Sequence, residues 1–159
     1  MVNLQVTIRQ GGFQDFDAIA TLVNRSFEIE RSYLKEPPET AASVADDIKS
    51  GLYCVAVDSQ RQLVGCVYIH NRHRAIFKLA VEPALQRKGI GRRLMAGAEE
   101  YAKSAGWPQV AVSFLSVRTE LLEYYHKQGY AETGEERKLA RPACAIQPCH
   151  LTIMSKKLI

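Results

Sequence analysis

The sequence predicts an α/β fold: a single mixed, mostly antiparallel sheet with helices on both faces, in the order βααβββαβαββ. Three observations carry this. Apolar runs of strand length recur along the chain, stripes with helical spacing lie between them, and glycine or proline punctuates the joins. A glycine-bearing, strongly basic loop, Gln86-Arg87-Lys88-Gly89-Ile90-Gly91-Arg92-Arg93, sits between one such run and one such stripe.

Val2–Arg9 alternates as a strand does, and Gly11-Gly12 breaks it. Ile19, Leu22, Val23 and Phe27 then recur at helical spacing, which predicts a helix over Gln14–Phe27. Glu28–Glu39 is polar and irregular, and Pro37-Pro38 stops any helix there. Ala41, Val44, Ala45 and Ile48 form a second helical stripe closed by Gly51. Leu52–Val57 and Leu63–His70 read as strands joined by an Asp58-Ser59-Gln60-Arg61 turn. After a short turn at Asn71-Arg72-His73, Ile76–Val81 is the next strand. The basic loop opens a third helix carrying Leu94, Met95, Ala98, Tyr101, Ala102 and Ala105, which Gly106 and Pro108 end. Val110–Val117 is nearly all apolar, as in a strand buried on both faces. Thr119 can cap a helix over Leu121–Gln128 that Gly129 closes. Tyr130 onward and His150–Lys157 are the last strands, with Arg141–Pro148 as a loop before the second. No repeat or linker divides the chain, so residues 1–159 read as one domain.

Composition narrows the function. The chain has 159 residues, 47% of them hydrophobic and 24% charged, an ordinary globular balance. No apolar stretch reaches membrane-spanning length, and the first residues lack a signal peptide's charged start and apolar block, so a cytoplasmic location is expected. A net charge of +4, without a long basic run, does not call for nucleic acid and suits a small polyanion equally well. Cys54 and Cys66 lie in apolar strands, and Cys144 and Cys149 lack zinc-site spacing even with His150 adjacent, so no metal is expected.

The basic loop is the chemically informative segment. A strand feeding a glycine loop that opens a helix turns backbone N–H groups toward an anion, and four cationic side chains surround the point. It is not a Walker loop, which needs Gly-x-x-x-x-Gly-Lys-Ser/Thr. Nor is it a dinucleotide fingerprint, because Leu94 stands where the third glycine belongs and Val110–Val117 carries no acid.

With Leu79-Ala80-Val81-Glu82-Pro83 before it and Tyr125-His126-Lys127-Gln128-Gly129-Tyr130 after it, this loop resembles the GNAT superfamily of acyl-CoA-dependent N-acetyltransferases. Members carry Gln/Arg-x-x-Gly-x-Gly/Ala between the fourth strand and third helix, then a Tyr four residues before a Gly-aromatic pair. The resemblance spans about Val6–Lys157, and its specific part is Leu79–Tyr130. It implies fourth and fifth strands that splay apart to admit the pantetheine arm of acetyl-CoA, bound as co-substrate. The strand backbone at Leu79, Ala80 and Val81 is expected to pair with that arm. The segment Arg87, Lys88, Gly89, Ile90, Gly91 and Arg92 is expected to hold the pyrophosphate, and the Arg93 side chain can also meet the outer phosphates. The helix dipole adds about 0.3–1 kcal/mol for a favourable charge.

The implied reaction is direct attack of a primary amine on the thioester. Tyr125 is the expected catalytic residue, donating to the departing thiolate. Its reference pKa is ~10 and a thiol's is ~8.5. Two positions depart from the family pattern: Ser113 where some relatives place a Glu base on the fifth strand, and Arg118 where many have Asn. An acid of the first-helix loop, Glu28 or Glu30, or a chain of waters, is left to take the amine proton. The acceptor is expected between Phe27–Glu39 and Arg137–Pro148. The first segment carries Glu28, Glu30, Glu36 and Glu39; the second carries Arg137, Lys138 and Arg141. That mixture suits a small or amino-acid-like amine, with Glu28 as a candidate contact. The alternatives are a protein or peptide acceptor and a non-catalytic acyl-CoA-binding module. Relatives are often dimers, which leaves a homodimer open.

Overall fold

The computed structural model describes residues 4–35, 38–139 and 145–159. Seven strands and four α-helices follow in the expected order: β1 (Val6–Gln10), α1 (Phe16–Ser26), α2 (Ala41–Asp47), β2 (Gly51–Asp58), β3 (Leu63–His70), β4 (Ala75–Val81), α3 (Ile90–Ser104), β5 (Gln109–Leu115), α4 (Thr119–Lys127), β6 (Ala131–Arg137) and β7 (Leu151–Lys157). They build one mixed sheet in the order β1-β2-β3-β4-β5-β7-β6. Every neighbouring pair is antiparallel except β4 and β5, which are parallel.

Each face carries its own core. On one, Ile19, Leu22 and Val23 of α1 and Val44 of α2 pack on Tyr53, Val55, Cys66 and Ala80. On the other, Ile90, Leu94, Met95 and Ala98 of α3 and Tyr125 of α4 pack on Val67, Ile69, Val112, Phe114 and Met154. Alternation along each strand supplies both cores from one sheet.

Local chemistry accounts for most boundaries. Thr40 caps α2 with a reciprocal box: its Oγ1 accepts from the Ser43 N–H at 3.1 Å, and Ser43 Oγ accepts from the Thr40 N–H at 2.8 Å. Asp58 Oδ1 accepts from the Gln60 and Gln62 N–H groups and so closes the β2–β3 turn.

Three expectations need correction. The irregular stretch after α1 contains a 3-10 turn, Glu28–Ser32, which places its acids at defined positions. Thr119 is the first residue of α4 rather than its cap; Arg118 holds the cap position. The fifth strand ends at Leu115, and only one of its faces is fully buried, because Ser113 on the other lines a cleft. Val2, Glu36, Pro37, Arg141 and Cys144 lie outside the described residues.

One irregularity shapes the whole sheet. Arg74 still faces β5, since its carbonyl accepts from the Ala111 N–H at 3.1 Å. Glu82, also even-numbered, instead faces β3, donating its N–H to the Val64 carbonyl at 2.8 Å. The phase of β4 therefore flips once along its length. The flip is a bulge: Cys66 pairs with Ala80 and Tyr68 with Phe77, so β4 has one residue more than β3 between these pairs. Lys78 sits in it with φ 54°. Beyond the bulge, the backbone groups of Leu79 and Val81 face away from β3. There they meet no strand, because β5 pairs with β4 only at Ala75↔Ala111 and Ile76↔Val112. The expected splay of the fourth and fifth strands is present and begins at this bulge.

Gly65 lets α3 lie close to β3 beside this opening. A Cβ there would stand 2.8 Å from Leu94 Cδ1 and 3.2 Å from Ile90 Cγ2. Gly65→Val is expected to destabilise the fold by about 1–3 kcal/mol through overpacking, read as a lowered midpoint in urea unfolding.

Candidate active site

The gap between β4 and β5 opens into a cleft of about 850 Å³. It runs from the start of α3, past the bulge, to the 3-10 turn after α1.

At the α3 end, Arg87 (φ 64°) and Gly89 (φ 85°) turn the chain through the left-handed region. Gly89 occupies the cap position, and its left-handed conformation favours glycine there. The first turn of α3 has no carbonyls before it to accept its N–H groups, so they are offered to the cleft. Gln86 Nε2 reaches back to the Val81 carbonyl at 3.3 Å and ties the loop to β4. Gly91 leaves room for α4: a Cβ would lie 2.8 Å from Tyr124 Oη. Arg87 and Arg92 line the cleft and form no ion pair among the described residues. This is a preformed anion cradle.

Tyr125 stands at the middle of the cleft, 7% exposed. Its ring stacks on Phe114 at 5.7 Å and meets Tyr124 and Tyr130 edge-on at 5.2 and 5.6 Å. Burial raises its hydroxyl pKa well above the ordinary phenol value, with Tyr124 adding to the effect. The group is therefore a neutral O–H donor through the physiological range.

At the far end, charges of both signs are tied down. Arg118 Nη1 donates to Glu30 Oε1 at 3.0 Å, joining α4 to the 3-10 turn, and Arg118 Nε donates to Glu120. Lys78 Nζ donates to Glu39 Oε1 at 2.9 Å and Asp47 Oδ2 at 2.7 Å. Tyr53 Oη also donates to Asp47 Oδ2, and Tyr68 Oη donates to the Asp47 carbonyl at 2.8 Å. Burial pushes the Tyr68 hydroxyl up to about 12. Desolvation raises the pKa of Glu39, but hydrogen bonds from Ser43 and Lys78 prevail, and it lies below the ordinary carboxylate value.

Of the residues expected to hold the donor, Leu79, Val81, Arg87, Gly89, Ile90, Gly91 and Arg92 line the cleft. Ala80 and Lys88 do not. Ala80 pairs with Cys66 and packs, 1% exposed, in the core beneath α1, while Lys88 is exposed. Glu28 is exposed and outside the cleft lining; the acid that faces the cleft is Glu30, two residues on in the same turn. Ser113 and Arg118 both line it, whereas among the described residues no histidine does. The Cys54 and Cys66 thiols are free and buried, as expected.

Sequence reasoning missed Lys78, Asp47 and Tyr68. Lys78 left a signal: it is the one charge inside the apolar run Ile76–Val81. Asp47 and Tyr68 left none, since each is recruited by residues distant in the chain.

A sheet parted on one side of its single parallel pair, with a helix N-terminus at the opening, defines a small α/β domain with a cleft between two strands. A family model described as Acetyltransferase (GNAT) domain matches residues 29–141, and the chain belongs to that family. Its fold is shared with nourseothricin acetyltransferase (TM-score 0.73, 17% identity, covering 97% of this chain and 99% of that one). It is shared equally with the ribosomal-protein-S18-alanine N-acetyltransferase from Escherichia coli (0.75, 16%, 97% and 94%). A third example is the PaiA N-acetyltransferase from Thermoplasma acidophilum in complex with coenzyme A (0.76, 15%, 96% and 99%). No curated protein sequence matches the chain. At these identities the structural likeness establishes the fold.

The depressed Glu39 pKa sets a pH dependence. A carboxylate held below its unfolded value stabilises the native state above that value, here 4.5, and loses the contribution as pH falls through the folded value. Glu39→Gln is expected to be less stable than wild type at pH 7, with the difference shrinking at a second, acidic pH below 4.5. Urea unfolding of both proteins at the two pH values measures this.

Proposed function

We propose that this chain transfers the acetyl group of acetyl-CoA to a primary amine by direct attack in a ternary complex. The observation that carries the reading is the continuity of one cleft from an anion cradle, through a strip of β4 backbone that meets no strand, to a charged pocket. The residues present fit the donor. The N–H groups of Gly89, Ile90 and Gly91, with Arg87 and Arg92, suit a pyrophosphate. The gap-facing backbone of Leu79 and Val81 suits an arm built of amides. Acetyl-CoA would supply the thioester carbonyl that the amine attacks.

The chain's own groups then have three tasks. A β4 N–H beside the bulge polarises the carbonyl where negative charge develops. Tyr125 donates its O–H toward the departing sulfur. Ordinary values already put a phenol, ~10, above a thiol, ~8.5, and burial widens the gap. Complete transfer from tyrosine alone is therefore uphill. The hydroxyl acts as a hydrogen-bond donor, and the proton leaving the amine nitrogen makes good whatever it gives up. Glu30 and Glu39 are both bound to cations, so they hold charge at the acceptor end. Water takes the first proton, which the ammonium loses before attack; the second, lost from nitrogen after attack, is the one that ends on sulfur.

The acceptor is a small, amino-acid-like amine. Acids and cations line the same pocket, and Leu34, Pro38, Phe77 and Tyr68 give it apolar walls. The E. coli relative named above acts on a ribosomal protein, so a protein terminus belongs among the acceptors tested. The decisive assay is thiol release from acetyl-CoA against a panel of amino acids, polyamines, aminoglycosides and peptides. Turnover with free amino acids or their analogues supports the reading, turnover with peptides alone redirects it, and binding without turnover on any amine refutes it.

Tyr125→Phe removes one donor and leaves the ring stack. It is expected to lower kcat by about 10²-fold, with coenzyme A affinity unchanged within a few fold. Steady-state kinetics beside calorimetric titration with coenzyme A check this.

A further inference from the structure

We infer that Lys78 is a positioning residue that couples the acceptor pocket to the thioester site, an inference that rests on the acetyl-transfer reading above. Three observations place it there. Lys78 occupies the bulge that parts β4 from β5, at a φ of 54° that non-glycine residues rarely adopt. Its side chain lines the cleft. Its ammonium also binds both ends of α2: Glu39 stands just before the Thr40 cap, and Asp47 is the last helical residue.

The clamp reaches further through each partner. Glu39 exchanges two backbone hydrogen bonds with the Asn24 side chain of α1, at 2.7 and 2.8 Å. Asp47 is held by Tyr53 of β2 and Tyr68 of β3. One half-buried cation thus ties the segment that walls the acceptor pocket to the backbone that would polarise the thioester. Neighbours on every side compensate the ammonium, and desolvation does not prevail: its pKa is raised. Lys78 therefore stays charged and is not a nucleophile. An ammonium has three donors, and two are taken by carboxylates. The third remains for an oxygen of the acceptor, such as a carboxylate.

Neutral Lys78→Met keeps the aliphatic stem and loses the clamp. Lys78→Gly also relieves the positive φ, which separates backbone shape from side-chain tethering. Lys78→Arg keeps the charge and can meet both carboxylates. Each variant is assayed with the best amine from the panel and titrated with coenzyme A. For Met and Gly, kcat/KM for the amine is expected to fall by about 10²-fold, because small misplacements of the reacting atoms are that damaging. Coenzyme A affinity should stay within a few fold, and Arg should recover most of the loss. Wild-type kinetics in Met or Gly would overturn the inference. So would parallel losses of kcat/KM and coenzyme A affinity, or a failure of Arg to rescue. If wild type transfers to no amine, the acetyl-transfer reading fails separately. Amide hydrogen exchange at Leu79 then decides the clamp: faster exchange in Lys78→Met than in wild type supports it, and equal exchange overturns it.

Discussion

A sheet cannot pair two strands and also hold a ligand between them, and the bulge at Lys78 resolves that conflict. Before it, β4 and β5 share the one parallel ladder of the sheet. After it, the backbone alternation of β4 is inverted and the strands diverge. Backbone N–H and C=O groups that meet no strand need water, a side chain or a ligand, and the Val81 carbonyl takes the Gln86 side chain. The rest of the fold serves this opening. α3 must begin at its mouth, which Gly65 and Gly91 allow by giving up side chains where Leu94, Ile90 and Tyr124 pack.

The two ends of the cleft use charge in opposite ways. Arg87 and Arg92 at the α3 end form no ion pair among the described residues, so their charge is available to a polyanion. At the other end, Lys78, Glu39, Asp47, Arg118, Glu30 and Glu120 satisfy one another. Half-buried charges need such partners, since an isolated one would shift its pKa and neutralise. Charge without an ion pair at one end is open to a ligand; paired charge at the other holds the surrounding elements together. This asymmetry favours a fixed donor site beside a shaped acceptor site, in keeping with membership of an acetyltransferase family.

The order of elements, the glycine loop and the tyrosine motif of α4 were legible because each is a local statement. Strand and helix periods, the glycines of Gln86–Arg93 and the Tyr125-to-Gly129 spacing all fall within short windows. The face of the sheet on which Ser113 is half-buried was not legible, because it depends on β5 standing apart from β4. Composition offers Glu28 or Glu30 as a base and Glu28 as an acceptor contact, but the 3-10 turn decides which acid lines the cleft, and Arg118, 88 residues later, decides which is held. The charge of Lys78 was visible in an apolar run, yet its meaning required Glu39 and Asp47, both from another element. The glycine loop was written locally, whereas the charged end of the cleft was written across the chain.

Tyr124 and Tyr125 show how one short helix serves both halves. Adjacent residues on α4 project about 100° apart. Tyr124 therefore sends its hydroxyl to Gly91 at the opening of α3, while Tyr125 stacks on Phe114 of β5, within the electrostatic reach of Arg118 and Glu30. The first contact sets the distance between α4 and the cradle. The second places an O–H beside the gap. A shift of α4 large enough to disturb one must disturb the other, and Arg118 at the α4 cap extends the same rigid piece to the acceptor turn. The position of Tyr125 is thus fixed from three directions, by the cradle, the fifth strand and the acceptor turn. Such fixation from several sides would suit the donor role proposed for Tyr125, because a dipole that stabilises a transient charge must already point correctly when the charge appears.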